Sequence, residues 1–407
     1  MVGSAAYAFS REYDVLVAGG GVAGVAAALA ASRAGRSVAL VEKTVLLGGL
    51  ATTGLINHYL PICDGNGRQV CYGIAEELLH LSIRYGPGEV PPGWQSERNA
   101  EERRRFMTLF NPASFVLALD EAIEEAGIDL WLDALVCQPV VRANRVEGLE
   151  IETKGGKGML SAKVTIDATG DADVAYRSGA PCVEAGNFLS LWAIGFTLDR
   201  AKQAVELGSG APFLRTVRVG ADAFGAGQPP EMPLLRGTDA RQVTTYVVDS
   251  RRRLRHRYQA AIAERGADAR LDEFPLTLPA MAQFRMTRRI DGQDTMRTGE
   301  EFRRREDSIG LSPDWRKAGP VWEVPYASLL PRDVRGLLAA GRCMSSDGEA
   351  WEIMRVIPPA ALTGEAAGVA AAVAIEKSTL PDTLDASDVQ ARMRANGVRI
   401  HLDEIGL

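Results

Sequence analysis

The run VLVAGGGVAGVAAALA, residues 15–30, sets Gly19, Gly21 and Gly24 in a G-x-G-x-x-G spacing between a β-branched stretch and an alanine-rich one. No other feature of the chain constrains its fold as strongly. The first glycine permits a tight turn, the second lets backbone N–H groups approach a pyrophosphate, and the third lets helix and strand pack closely. Val22 and Ala23 then open a helix whose first N–H groups and dipole favour an anion. Residues 13–18 predict a strand, 21–34 a helix and 37–42 (SVALVE) a second strand, a βαβ unit of about 30 residues. Both strands are apolar without alternation, as in a parallel sheet covered on both faces.

Glu42 ends the second strand about 20 residues past the glycines, where an acid accepts hydrogen bonds from both ribose hydroxyls and disfavours a 2′-phosphate. This much admits a dinucleotide without choosing among NAD, FAD and a few non-redox uses.

Further along, residues 73–85 have a helical pattern, 86–105 read as an exposed Pro/Gly and charged excursion, and 111–127 predict a helix with Pro near its start and Gly127 at its end. Short strands follow in DLWLD, LVCQPVVRA, RVEGLEIET, GKGMLSA and AKVTIDATG, the pattern of a small antiparallel meander that returns to the main sheet. Residues from about 182 to 320 carry many arginines and fewer continuous strands, and α/β texture resumes with GLLAAG at 336–341 and an Ala/Gly-rich helix at 358–377. The expected architecture is α/β: a Rossmann-like nucleotide-binding domain with a parallel sheet and small meander, over residues 1–180 and 321–407. A discontinuously inserted α+β substrate or cap domain spans 181–320.

The composition narrows the partners. A net charge of −6 argues against nucleic acid held by counterion release, and leaves small molecules as the expected ligands. The basic run RRRLRHR at 251–257 reads as a solvated helix face. Five cysteines, an odd number in mostly apolar contexts, suit reduced thiols. Residues 1–14 have no basic leader, and the apolar helices read as too short to span a bilayer, so a cytoplasmic protein without membrane contact is expected. No metal site is expected, and a homo-oligomer stays open.

Taken in order, Glu42-Lys43, LLGGLATTG, IDATGDADVA and PYASLLPRDVRGLLAAGR…RVIPPAALTGEAAGVAAAVA resemble the FAD-dependent oxidoreductases of the glutathione-reductase-like superfamily, in the branch related to fumarate reductase flavoproteins. The resemblance covers most of residues 12–180 and 320–400 and implies FAD as cofactor. It implies that Gly48, Gly49, Leu50, Ala51 and Thr52 run along the pyrophosphate and under the flavin, and that Val136 meets the adenine. Ala168, Thr169, Gly170 and Asp171 close over the dinucleotide. Gly341 and Arg342 lie beside the ribityl chain and phosphates, and Thr363 and Gly364 start a helix aimed at the flavin pyrimidine. This chain departs from related sequences at Ala360 and Glu365, where Cys and Gln often stand.

Four residues are candidates for the reacting site. Arg355, in EIMRVIPP, suits a carboxylate clamp on the catalytic side of the flavin, with an ion pair to Glu352 or Glu349 as its structural alternative. His58, just after the flavin loop, suits a proton acceptor by type. Tyr72 and Arg288 are further candidates, Arg288 with the alternative of pairing acids at the domain junction. Cys63 and Cys71 lack the CxxxxC spacing of a redox pair. The expected function is hydride transfer between a small polar or anionic substrate and flavin N5, with the electron acceptor unassigned. A flavin monooxygenase and a non-redox protein with a structural dinucleotide remain open alternatives.

Overall fold

A computed structural model describes residues 7–98, 106–222 and 224–407. The sequence-predicted βαβ unit is present as β1 (Phe9–Ala18), α1 (Val22–Arg33) and β2 (Val38–Val41). The main sheet adds β3 (Asp129–Trp131), β4 (Leu135–Arg142), β5 (Arg145–Thr153), β6 (Gly156–Asp167) and β7 (Leu337–Ala339).

Five of these strands run parallel in the order β3-β2-β1-β6-β7. Two segments expected as separate strands, GKGMLSA and AKVTIDATG, form the single 12-residue β6. Its length lets one edge serve two purposes. The N-terminal half takes β5 antiparallel, from Gly148 opposite Ser161 to Thr153 opposite Gly156, and β5 in turn takes β4. The C-terminal half takes β7, with Ala339 opposite Asp167. Ala18 lies opposite both Val41 and Asp167, so the carboxyl ends of four parallel strands meet at one edge of the sheet. Ligands of open α/β sheets bind outside such an edge.

The helix α2 (Ile357–Glu376) packs against α1 through small residues. A Cβ on Gly364 would come within 2.2 Å of the Ala23 carbonyl oxygen, and one on Gly368 within 2.3 Å of that of Ala27. Only glycine allows the two backbones this approach. The expectation that the apolar helices are too short to cross a bilayer fails for α2, which is 20 residues long and has a mean hydropathy of 1.3 over an 18-residue stretch. Its apolar character has another physical cause: every residue from Pro358 to Ala374 is buried inside the protein.

The inserted unit has small cores of its own, one around Leu189, Leu235, Tyr246 and Phe284, another around Leu191, Ala193, Val217 and Leu254. The second lies under an antiparallel sheet of Thr216–Gly220, Ser190–Thr197 and Glu273–Thr277. The chain enters and leaves through the pair Cys182–Glu184 and Arg288–Ile290. A hairpin of Ser308–Pro313 and Val321–Pro325 straddles the expected boundary at 320, yet Ile309, Trp322 and Val324 belong to the main core. Of the excursion expected at 86–105, residues 99–105 lie outside the described residues, and Val90 and Trp94 pack against the main core.

Candidate functional site

The glycine loop is built as its spacing requires. Gly19 has φ +101°, and a Cβ there would meet the Ala168 carbonyl oxygen at 2.5 Å. A Cβ on Gly24 would lie 1.8 Å from the Gly19 carbonyl oxygen, so Gly24 serves helix-to-strand packing. At Gly21 an added Cβ would meet nothing within 4 Å. Gly21 is also the N-cap of α1, which has no side-chain cap and no acid in its first turn. The first N–H groups of α1 therefore open onto free space with no protein anion to answer them.

Glu42 is nearly buried and held by two backbone donors, Gly20 N–H to Oε2 and Thr44 N–H to Oε1, both at 2.8 Å. From this end of the sheet runs a cleft of about 800 Å³. Gly19, Gly21, Val22, Ala23, Glu42, Lys43, Gly48, Gly49, Leu50, Ala51, Ala168, Thr169, Gly170, Gly341 and Arg342 all line it. Val136 lines its continuation beside Ala134, Leu135 and Asp173, next to Glu42 and Lys43. An uncapped helix N-terminus, a fixed carboxylate at a strand end and an elongated cleft between them fit a dinucleotide.

Several residues expected to touch the cofactor position others instead. The Thr52 hydroxyl is buried and donates to the Leu47 carbonyl, while Thr53 lines the cleft. Asp171 pairs with Arg342 at 2.8 Å. Arg342 also donates to the carbonyls of Gly170 at 2.6 Å and Phe284 at 2.8 Å, tying the inserted unit to the sheet. Thr363 and Gly364 do not start the helix. Its N-cap is Val356, and Ile357 and Ala360 line the cleft. Thr363 is fully buried, its hydroxyl accepting from Gly341 N–H at 2.9 Å and donating to the Pro359 carbonyl at 2.8 Å. Gly364 is spent on the contact with α1. Because Pro358 and Pro359 carry no N–H, the first turn of α2 keeps only the Ile357 donor.

A second cavity, of about 820 Å³, meets the cleft where Leu50, Ala51, Arg355 and Ile357 line both. Four parts of the chain build it: the stretch from Leu50 to Leu60 with Ile56 and His58, the inserted unit with Ser190, Trp192 and Gln283 to Arg285, Trp315 between the hairpin strands, and the start of α2. Trp192, Phe284 and Trp315 supply aromatic wall. Gln283 fixes its geometry by accepting from Trp192 N–H at 2.7 Å and donating to the carbonyls of Trp192 and Gly54.

Two sequence-predicted candidates, Arg355 and His58, thus share one cavity. The Arg355 Nε donates to Glu352 at 2.9 Å, the ion pair named as its structural alternative, and the residue still lines both spaces. His58 Nε2 lies 2.7 Å from the Arg218 guanidinium, and its ring meets Trp192 edge to face at 4.8 Å. Tyr72 and Arg288 do not line the cavity. Tyr72 is half-buried, donates to the Gln69 carbonyl at 3.4 Å and lies under Arg399. Arg288 is buried at the opposite end of the cleft, with Asp173 at 2.7 Å, the Asp171 carbonyl at 2.9 Å and the Tyr176 ring beneath it. Cys63 and Cys71 are both buried and no disulfide joins the five cysteines. Burial pushes the Cys71 thiol far up.

Arg285, three residues before Arg288, is the arginine that sequence reasoning missed. Among the described residues its guanidinium has only long hydrogen-bond contacts, to Ser190 Oγ at 3.5 Å and the Ala221 carbonyl at 3.4 Å. Burial, and then the charge of nearby Arg355, lower its affinity for its proton. Among the described residues no carboxylate stands within ion-pair distance of it. In QFRMTRR nothing local separates Arg285 from its neighbours, since the stretch before Arg288 is irregular and side-chain direction there follows no period.

A family model described as FAD dependent oxidoreductase matches residues 14–187 and 210–393. The chain is 27% identical over 186 residues to a digeranylgeranylglycerophospholipid reductase of Methanoculleus marisnigri, 42% of each protein. It is 28% identical over 211 residues to an L-aspartate oxidase of Mycobacterium bovis, 44% of this chain and 40% of that one. The matched stretches span under half the length of these curated relatives. Among solved structures, a geranylgeranyl bacteriochlorophyll reductase-like protein of Thermoplasma acidophilum aligns over 95% of this chain and 83% of its own, at 15% identity and a TM-score of 0.49.

Proposed function

The chain belongs to the FAD dependent oxidoreductases, with FAD as its cofactor, and from that premise we propose that it moves a hydride between the flavin and a small organic anion held in the cavity of Arg285 and Arg355. Bound flavin supplies the two-electron chemistry. The remaining work belongs to this chain's side chains.

The observation that carries the reading is the under-compensated charge of Arg285 beside Arg355. A half-buried cation whose nearby carboxylates, Glu352 and Asp222, stand beyond ion-pair distance keeps uncompensated charge at a cost in free energy, and an arriving carboxylate or comparable anion relieves that cost. A planar guanidinium binds such a group through two parallel N–H donors, which orients as well as attracts it. Trp192, Phe284 and Trp315 keep water from the apolar part of the substrate and strengthen the charge contacts. Since Arg355 also lines the cofactor cleft, an anion bound between the arginines lies at the junction of the two spaces.

Anaerobic titration of the flavin-loaded protein with small mono- and dicarboxylic acids, and with their amides or esters, tests the reading. Bleaching by an acid but not by its uncharged analogue is the expected result. Arg285→Ala should weaken the acid's apparent affinity by roughly 30-fold or more, the loss of about 2 kcal/mol typical of a buried charge contact. Equal bleaching by uncharged analogues, with no effect of the substitution, would refute it.

A further inference from the structure

We propose that the outer face of the inserted unit carries a second site, separate from the cavity above, that binds a single-chain anionic amphiphile: the hydrocarbon tail in a groove, the charged head on arginines at its rim. The long helix Ala240–Arg265 buries only Tyr246, Ser250 and Leu254 among its 26 residues. Beside it, Ala269–Asp272 and Glu273–Thr277 border a groove of about 370 Å³, at the lower end of the range of ligand pockets. Leu254, Tyr258, Ile262, Phe274, Pro275 and Leu278 line it. The helix contributes at positions 251, 254, 255, 258, 259, 261 and 262, the spacing of one broad helical face. Ile262 and Leu278, each 40% exposed, leave the lining open to solvent.

The rim is cationic. Arg251, Arg255 and Arg270 border the groove, and among the described residues none of them forms an ion pair, whereas their neighbours do. Arg252 pairs with Asp249, Arg253 with Glu231, and Arg257 and Arg265 with Glu273. Glu273 also borders the groove, but these two arginines already occupy its carboxylate, at 3.0 and 3.2 Å. The charge left facing the groove is therefore positive, in a chain whose net charge is −6.

An apolar trough with surplus guanidinium groups at its edge complements one hydrocarbon chain ending in a phosphate, sulfate or carboxylate. A second copy packed across a two-fold axis would bring the arginine rims together. A peptide strand would lay its backbone N–H and C=O groups on a lining that is mostly carbon.

Calorimetric titration of the flavin-loaded protein with dodecyl phosphate, below its micelle concentration, tests the site. One saturable equivalent is expected. Dodecyl maltoside and inorganic phosphate should each bind about tenfold weaker or less, as should dodecyl phosphate to Arg255→Ala/Arg270→Ala and to Ile262→Asp, each difference corresponding to the loss of roughly one charge-assisted or apolar contact. An unchanged flavin spectrum verifies that each variant is folded. Equal binding by wild type and both variants overturns the proposal, as does equal binding of inorganic phosphate alone. Flotation with anionic phosphatidylglycerol vesicles without binding of monomeric dodecyl phosphate also overturns it, in favour of a membrane surface. A dimer that Ile262→Asp dissociates, with no amphiphile bound, overturns it in favour of a second copy.

Discussion

The Arg218 guanidinium approaches His58 Nε2 at 2.7 Å while lying over the Trp192 ring, 3.9 Å from its centroid. A guanidinium can only donate, so Nε2 is the acceptor of this contact. His58 entered as a proton acceptor by residue type. In the structure this contact engages Nε2 and holds the ring in the cavity wall. Arg218→Met should remove the contact, and the His58 Nε2 resonance in histidine ¹⁵N spectra should move between wild type and variant. Identical His58 resonances in the two proteins would contradict the pairing.

Two glycines of one motif should fail differently. Gly24→Ala drives a methyl into the Gly19 carbonyl and should cost ~1–3 kcal/mol of stability, as overpacking does. Gly21→Ala meets nothing in the protein, and its φ of −68° suits alanine. It should leave the apoprotein's denaturation midpoint unchanged and weaken FAD binding, because the methyl enters the space before the helix N-terminus. Urea denaturation of the apoproteins and a flavin titration separate the two.

Burial pushes the Glu365 carboxyl up to about 7, against the lowering effect of its hydrogen bonds from Ile74 N–H, at 2.9 Å, and Asn396. The ordinary value is 4.5, so between about pH 4.5 and 7 the folded protein holds a proton that the unfolded chain has lost. Stability from this group is therefore full below pH 4.5, falls as pH rises through 7, and then levels, a difference of ~3 kcal/mol at most. Glu365→Gln keeps an acceptor for Ile74 and carries no charge. It should flatten the dependence, so that the variant gains on the wild type at pH 8 and not at pH 5 in urea titrations.

Arg342 holds the Gly170 and Phe284 carbonyls and the Asp171 carboxylate together. Arg342→Ala removes three charge-assisted contacts and should cost ~3 kcal/mol locally. Limited proteolysis should then cut within the inserted unit, between 182 and 290, at protease levels that spare the wild type, with faster loss of FAD. An unaltered digestion pattern would show that the units are held by other contacts.

The cofactor cleft was legible in the sequence because its parts are local. Gly19, Gly21 and Gly24 act through backbone geometry within one turn, and Glu42 ends the strand that this turn feeds. Thr363 and Gly364 were misplaced by the resemblance, not by the pattern: the Ala/Gly-rich run already put the helix start at 358, and the structure begins α2 at Ile357, six residues before Thr363. The expectation that the apolar helices are too short for a bilayer failed at α2 on length, and neither length nor composition says what surrounds a helix, which its packing neighbours decide.

The sequence alone determined the βαβ unit and the dinucleotide loop, since each rests on spacing that short-range sterics and hydrogen bonding enforce, while the flavoenzyme class came from the resemblance carried by its ordered motifs. Tertiary structure alone decided the reacting cavity. Its walls come from residues 50–60, 190–192, 283–285, 315 and 355–357, which no periodicity links, and only their packing leaves Arg285 without an ion pair among the described residues and turns Arg288 toward Asp173. Charge compensation is a property of neighbours in space, and for two arginines three residues apart only the folded chain chooses them.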